Sequence, residues 1–212
     1  MSLLRAAFIL LATTLAAPPG QAGTLEDVHA RGVVNCAVAA SAPGLSEMQD
    51  GKHSGLAIDL CALIAAAVVG RAEAMAIIDV GADDGATALQ AGEADILLAP
   101  RAWTFSQEVR DGVFLVEPLL TRSRDGAVFG PQVRQGDDSW FVAVRWILAL
   151  ARASSAPGDE AADALAELGL QPNARQEISV LSGGYQGLLE RHMKTVTDGG
   201  WEAVTPPPGM RF

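Results

Sequence analysis

Three kinds of residue in this 212-residue chain could do chemistry: histidines, paired carboxylates and glycine-flanked polar residues. His29, His53 and His192 lie far apart, and none has a second ligand at the short spacing that metal sites use. They read as surface histidines. Asp83-Asp84 and Asp137-Asp138 are carboxylate pairs of the kind used for acid–base work. Each stands at the start of a predicted helix, where a carboxylate accepts hydrogen bonds from free backbone amides, so capping explains them better. Gly183-Gly184-Tyr185-Gln186-Gly187 lacks the Lys-Ser/Thr ending of a phosphate loop. No serine sits in a nucleophile elbow. Trp140, Phe141, Trp146 and Ile147 recur at helical distances and read as core. These residues argue for no enzyme, no metal and no cofactor.

The elements that would position these groups begin after a leader. Met1–Arg5 is short and basic, Ala6–Ala17 is apolar and uncharged, and Gly20-Gln21-Ala22 supplies small residues before a cleavage point. Residues 1–22 therefore read as a secretory signal peptide, too short in its apolar run for the roughly 20 residues that span a bilayer. About 190 residues remain, enough for one domain with a substantial core. Net charge is −10, and Lys52 and Lys194 are the only lysines. A nucleic-acid partner needs a basic stripe to neutralise phosphates, and none is visible. Cys36 and Cys61 are the two cysteines. An even count in an exported chain favours a disulfide, with two buried thiols as the alternative.

Periodicity predicts a helix from Thr24 to Gly32, with Thr24 as its cap, and a buried strand over Val33–Ala39. Residues 41–54 read as loop, punctuated by Pro43-Gly44 and Asp50-Gly51. The clearest helix is Gly55–Gly70. A strand at Ala74–Val80, a helix from Asp83-Asp84 to Ala91 and a strand at Asp95–Ala99 follow. Alternation of strands and helices implies parallel pairing with right-handed crossovers. Trp103–Arg110 reads as a short helix or a turn. Val113–Val116 and Leu119–Thr121 read as strands, with a hairpin turn at Asp125-Gly126 and a return strand at Ala127–Phe129. A long helix runs from Trp140 to Arg152 behind Asp137-Asp138. Pro157-Gly158 breaks it, and helices at Asp159–Leu168 and Gln176–Arg191, the latter interrupted at Gly183-Gly184, follow. The Pro-rich tail after Gly199 cannot be helical.

Three blocks resemble the general L-amino-acid-binding proteins of polar amino-acid ABC importers, solute-binding protein family 3. They are Gly55-Leu56-Ala57-Ile58-Asp59-Leu60-Cys61 with Ala65–Gly70, Ala88–Asp95 followed by Trp103-Thr104, and Gly136-Asp137-Asp138-Ser139-Trp140-Phe141 followed by Val144-Arg145-Trp146. Gly184-Tyr185, Glu190-Arg191 and Gly199-Gly200 fit the C-terminal stretch of that family, and Cys36 matches a cysteine of its first strand. The resemblance implies an α/β, type II periplasmic-binding-protein fold, with a largely parallel sheet flanked by helices and further C-terminal helices. It also implies a periplasmic location, a permease partner and a small polar ligand such as an amino acid.

Two departures qualify that implication. The family inserts a second lobe near Arg122–Pro131, and here only a few polar residues span the gap, too few for a domain. The expectation is one lobe over residues 23–212, with a βαβ core at 23–130, C-terminal helices and tail at 131–212, and no second lobe. The family also carries an arginine shortly after the Trp-Thr step, whose forked donors match a ligand carboxylate. Gln107 stands at that position, and Ala99, Pro100, Arg101 and Ala102 replace the polar residues expected before Trp103. Arg101 or Arg110 could supply the lost charge, the alternative being that both are solvated surface arginines. The expected ligand residues are Pro43, Gly44, Leu45, Arg101, Trp103, Thr104 and Gln107, around a weakened amino-acid site. The alternative is an accessory protein that uses an exposed, apolar, concave face for another protein or for a homodimer.

Overall fold

A computed structural model of the chain describes residues 23–81, 83–152, 159–182 and 184–204. The leader expected over residues 1–22, the break at Pro157-Gly158 and the prolines of the tail lie outside the described residues.

The central sheet grows from three apolar runs. β1 (Val34–Ala39) pairs in parallel with β4 (Met75–Val80) on one side and β5 (Ile96–Leu98) on the other, so that Cys36 stands opposite both Ile77 and Ile96. Successive strand side chains point to opposite faces. Val34, Cys36, Val38, Ile96 and Leu98 therefore enter the main core, while Ala37, Val80 and Leu97 enter a smaller one on the other face. The sheet is completed by β10 (Gln132–Arg134), antiparallel to both β5 and β7 (Val113–Leu115), in the order β4-β1-β5-β10-β7.

α1 (Thr24–Arg31), α2 (Leu56–Val69), α5 (Asp138–Arg152), α7 (Ala174–Ser182) and α8 (Gly184–Asp198) pack on the main-core side, with α6 (Asp159–Glu167) preceding α7. α2 is buried on nearly every side and so carries no polar stripe. The Cys36–Cys61 disulfide ties it to β1, with Cα atoms 6.2 Å apart. On the opposite face α3 (Asp84–Ala91) covers β1 and β5, and α4 (Phe105–Asp111) lies beside β7. Trp140, fully buried at the start of α5, donates its Nε1–H to the Asp95 carbonyl at 2.8 Å. Burial pushes the Asp95 carboxyl up, against the Asn35 N–H and Arg31 that it accepts from.

A second, antiparallel sheet has the order β11-β8-β9-β6, from β6 (Arg101–Ala102), β8 (Leu120–Arg122), β9 (Ala127–Phe129) and β11 (Glu202–Ala203). β8 and β9 are joined by Ser123–Gly126 alone. Asp125 pins this turn, accepting from the Arg122 guanidinium at 2.8 and 3.0 Å and from the Ala127 N–H at 3.2 Å. Those bonds, the Arg122 bond first, hold the Asp125 carboxyl below its ordinary range. Trp201, buried just before β11, lies 4.4 Å under the Arg122 guanidinium.

The structure differs from the sequence expectations at several points. Residues 41–54 are not all loop, because β2 (Glu47–Gln49) and β3 (Lys52–Ser54) form a hairpin. Asp50 and Gly51 both adopt positive φ there, 51° and 74°, the geometry a tight two-residue turn requires. Thr24 is not the cap of α1; Gly23 holds that position, and the Thr24 hydroxyl accepts from Arg134 at 3.0 Å. Asp83 makes no side-chain cap bond to α3, whereas Asp137 does cap α5, accepting the Trp140 N–H at 3.2 Å. α8 runs past Arg191 to Asp198. His192 is not a free surface histidine, since its Nε2 lies 2.9 Å from Asp59 in the first turn of α2.

Candidate functional site

A cavity of about 620 Å³ opens beside the C-terminal end of β5. α3 forms one wall through Gly85, Ala86, Thr87 and Gln90, with Gly81 and Asp83 before it. The floor is Leu97 and the stretch Ala99–Ala102, and the far wall is α4 through Gln107, Arg110 and Asp111. β6 brings Arg101 in by pairing it with Val128 of β9, which fixes the base of a long side chain on the strand beside the hairpin turn.

Arg101 is paired. Its guanidinium donates to the carboxylate of Asp111, with the two side chains only 16% and 23% exposed, and it also lies 5.7 Å from the Trp103 ring centroid. Asp111 is the last residue of α4, ahead of Gly112. Gln90 of α3 holds that corner, donating Nε2–H to the carbonyls of Gly112 at 2.6 Å and Asp111 at 3.3 Å. The Gln135 N–H adds a bond to the Gly112 carbonyl at 2.8 Å. Arg110 is exposed at the rim. The charged lining residues, Asp83, Arg101, Arg110 and Asp111, balance in sign, so the cavity carries polarity without a large net field. Its guanidinium groups could meet a carboxylate and its acids an ammonium group.

Of the residues predicted from sequence, Arg101 and Gln107 line this cavity. Thr104 caps α4 instead: its Oγ1 accepts the Gln107 N–H at 3.2 Å and lies 3.0 Å from the Gln107 side-chain oxygen. Trp103 packs against the smaller core. Pro43, Gly44 and Leu45 lie elsewhere. Leu45 is fully buried, and its carbonyl accepts the Ala57 N–H of α2 at 2.8 Å. Gly44, at φ +76°, abuts α8, where a Cβ would meet the Thr195 and Val196 backbone at 2.8 Å. That loop packs against α2 and α8.

Asp111 and Gln90 were not foreseen. One signal was available for Asp111: an acid at a helix C-terminus opposes the helix dipole, so it asks for a cationic partner. Thr104-x-x-Gln107 likewise has the spacing of a capping box. The expected apolar concave face is not what the cavity offers. The large exposed apolar residues nearby are Phe105 and Val109, 82% and 61% exposed. At i and i+4 they share a face of α4 turned away from Gln107 and Asp111.

No family model matches the chain. It is 38% identical over 111 residues, 52% of its length, to YhdW of Escherichia coli K12, named as an amino-acid ABC transporter-binding protein. It is 32% identical over 111 residues to the general L-amino acid-binding periplasmic protein AapJ of Rhizobium johnstonii. The matches span about a third of those relatives, 32% and 33% of their length. Among solved structures it is similar to an ABC transporter periplasmic binding protein from Brucella ovis with glutathione bound, with a TM-score of 0.67, 19% identity, and coverage of 81% of this chain and 91% of that one. It is also similar to domain 1 of TmArgBP in its arginine-bound form, with a TM-score of 0.50, 19% identity, and coverage of 57% of this chain and 94% of that one. The fold is thus that of periplasmic-binding-protein domains, a parallel-rich sheet flanked by helices.

Proposed function

We propose that this relative of the amino-acid ABC transporter-binding proteins is an exported, one-lobed binder of a small polar ligand of amino-acid type, held weakly in the cavity between α3 and α4. The observation that carries the reading is the charged cavity itself, with Arg101 delivered to its floor by the strand that pairs with β9. Arg101 takes the role that the family gives to an arginine at the position of Gln107. The four-residue turn between β8 and β9 supports a single lobe, since the segment that would hold a second lobe is closed by Asp125. The solved arginine-bound domain 1 of TmArgBP supports the idea that one lobe of this fold is enough to hold a ligand.

The affinity is low for a physical reason. Ligand sites gain by burying most of their ligand, and a single lobe covers one side only. We take the dissociation constant to be on the order of 1 mM, about −4 kcal/mol. The relatives' names make an importer permease the natural partner and the periplasm the compartment. Among the described residues no helix is long and apolar enough to cross a membrane.

A second reading is favoured by Phe105 and Val109, which put an apolar stripe on the outer face of α4. In it the chain is an accessory protein that meets another protein or a second copy through that helix. Thermal shift with a panel of amino acids at about 10 mM separates the two. Weak ligand binding raises the melting temperature by about 3–6 °C for a ligand with a dissociation constant near 1 mM. A flat response to the whole panel, with a dimer on size exclusion, overturns the ligand reading in favour of the second.

A further inference from the structure

We propose that Asp111 is a built-in competitor for the ligand's carboxylate, and that it makes the cavity selective for zwitterions over simple carboxylates. The proposal rests on the reading of this cavity as a ligand site. Arg101 is the guanidinium on the cavity floor, and its Nη2 donates to the Asp111 carboxylate. That carboxylate is the same chemical group a ligand would offer.

Three features make it an effective competitor. Both side chains are largely buried, so water screens their attraction poorly. Asp111 has little freedom to leave, because Gln90 and Gln135 fix the backbone of its helix end from two sides. Its place at the C-terminus of α4 opposes the helix dipole, which leaves Arg101 as the group that stabilises it. A tethered carboxylate acts as a competitor at high local concentration, and an incoming ligand meets only the fraction of molecules in which Arg101 is released.

Selectivity follows from what displacement leaves behind. Once a ligand carboxylate takes Arg101, the freed Asp111 carboxylate faces the ligand across the cavity. A plain monocarboxylate then meets an unpaired negative charge. An α-amino acid brings an ammonium group that replaces the Arg101 charge at Asp111, so two ion pairs stand where one stood.

L-alanine and propionate differ only by the α-amino group, and titration calorimetry with both tests the proposal. Wild type is expected to prefer L-alanine. Asp111→Asn keeps the shape, releases Arg101, and is expected to raise propionate affinity about tenfold while removing the preference for the zwitterion. A second variant, Asp111→Asn with Arg101→Gln, removes both charges together and is expected to lose the gain. A purely structural Asp111 would shift both ligands alike and leave their ratio unchanged, which overturns the proposal. So does a propionate gain that survives without Arg101. If wild type and Asp111→Asn both ignore both probes, the ligand-site reading falls and takes this one with it. If wild type binds L-alanine but Asp111→Asn leaves the ratio untouched, this inference falls alone.

Discussion

The Cys36–Cys61 bridge closes a span of 25 residues that contains the end of β1, the β2–β3 hairpin and the first turns of α2. In the chain-entropy description, cross-linking a loop of that length removes enough freedom from the unfolded chain to stabilise the fold by about 3.5 kcal/mol. For a domain of this size each kcal/mol moves the melting temperature by about 2–4 °C, so loss of the bridge should lower it by about 7–14 °C. Both sulfurs are fully buried, which makes reduction of the folded protein slow. The protein should therefore be unfolded, reduced, refolded under reductant and melted by circular dichroism beside the oxidised form. Reduction keeps both sulfur atoms and leaves no cavity, so the comparison weighs the cross-link together with the small repacking that two separate buried thiols require. A reduced form that melts within about 2 °C of the oxidised form refutes the reasoning, because it means the unfolded chain was not freed by opening the loop.

Two further outcomes are expected. Trp140→Phe removes the indole N–H that satisfies the buried Asp95 carbonyl and shrinks a fully buried side chain, and should cost about 2–4 kcal/mol in urea denaturation; a cost below about 1 kcal/mol refutes the role of that bond. Asp59 joins α2 to α8 through His192 and Arg191: burial pushes its carboxyl up, its hydrogen bonds and charge interactions with His192 and Arg191 outweigh that, and the net value lies below the ordinary 3.8. The folded carboxyl thus titrates below the unfolded one, so its stabilisation is complete above the ordinary carboxylate range and is lost as pH falls through the depressed value. Melting curves from about pH 6 to pH 2 should show a shallower acid limb in Asp59→Asn than in wild type, and equal limbs would refute the assignment.

Much of the main sheet was legible because each long strand is an apolar run bounded by Gly or a helix start. Val33–Ala39 and Ala74–Val80 needed only period and β-branching to be read, and they became β1 and β4 within a residue. β6, β10 and β11 were not legible. They are two or three residues long, and partners far away in sequence decide their pairing: Arg101 meets Val128, Gln132 meets Leu97, and Glu202 meets Thr121. The Arg101–Asp111 pair failed for a related reason. Ten residues separate them along a strand, a cap and a helix, a path with no periodicity to read. Gly44 and Leu45 carry turn signals in the sequence, but that their loop packs against α8 and α2 is decided by residues far away in the chain and is seen only in the fold.

On the single-lobe proposal, two problems must be solved where a second lobe would begin: joining the strand ends and covering the strand edge. Arg122 takes part in both. Its guanidinium forks onto Asp125 to tighten the turn, and its face covers Trp201, which seats β11 along β8. Without β11 the outer backbone groups of β8 would stand as an open edge, a template for association. The β8–β9 turn and the outer edge of β8 are thus both covered by residues of this chain, as the single-lobe proposal requires. What remains unmet is the other half of the ligand's surroundings. A site covered on one side cannot rely on burial, so the few charges that reach it carry most of the discrimination. Under the proposed ligand reading, that places the weight of specificity on Arg101 and on Asp111, the group it pairs with.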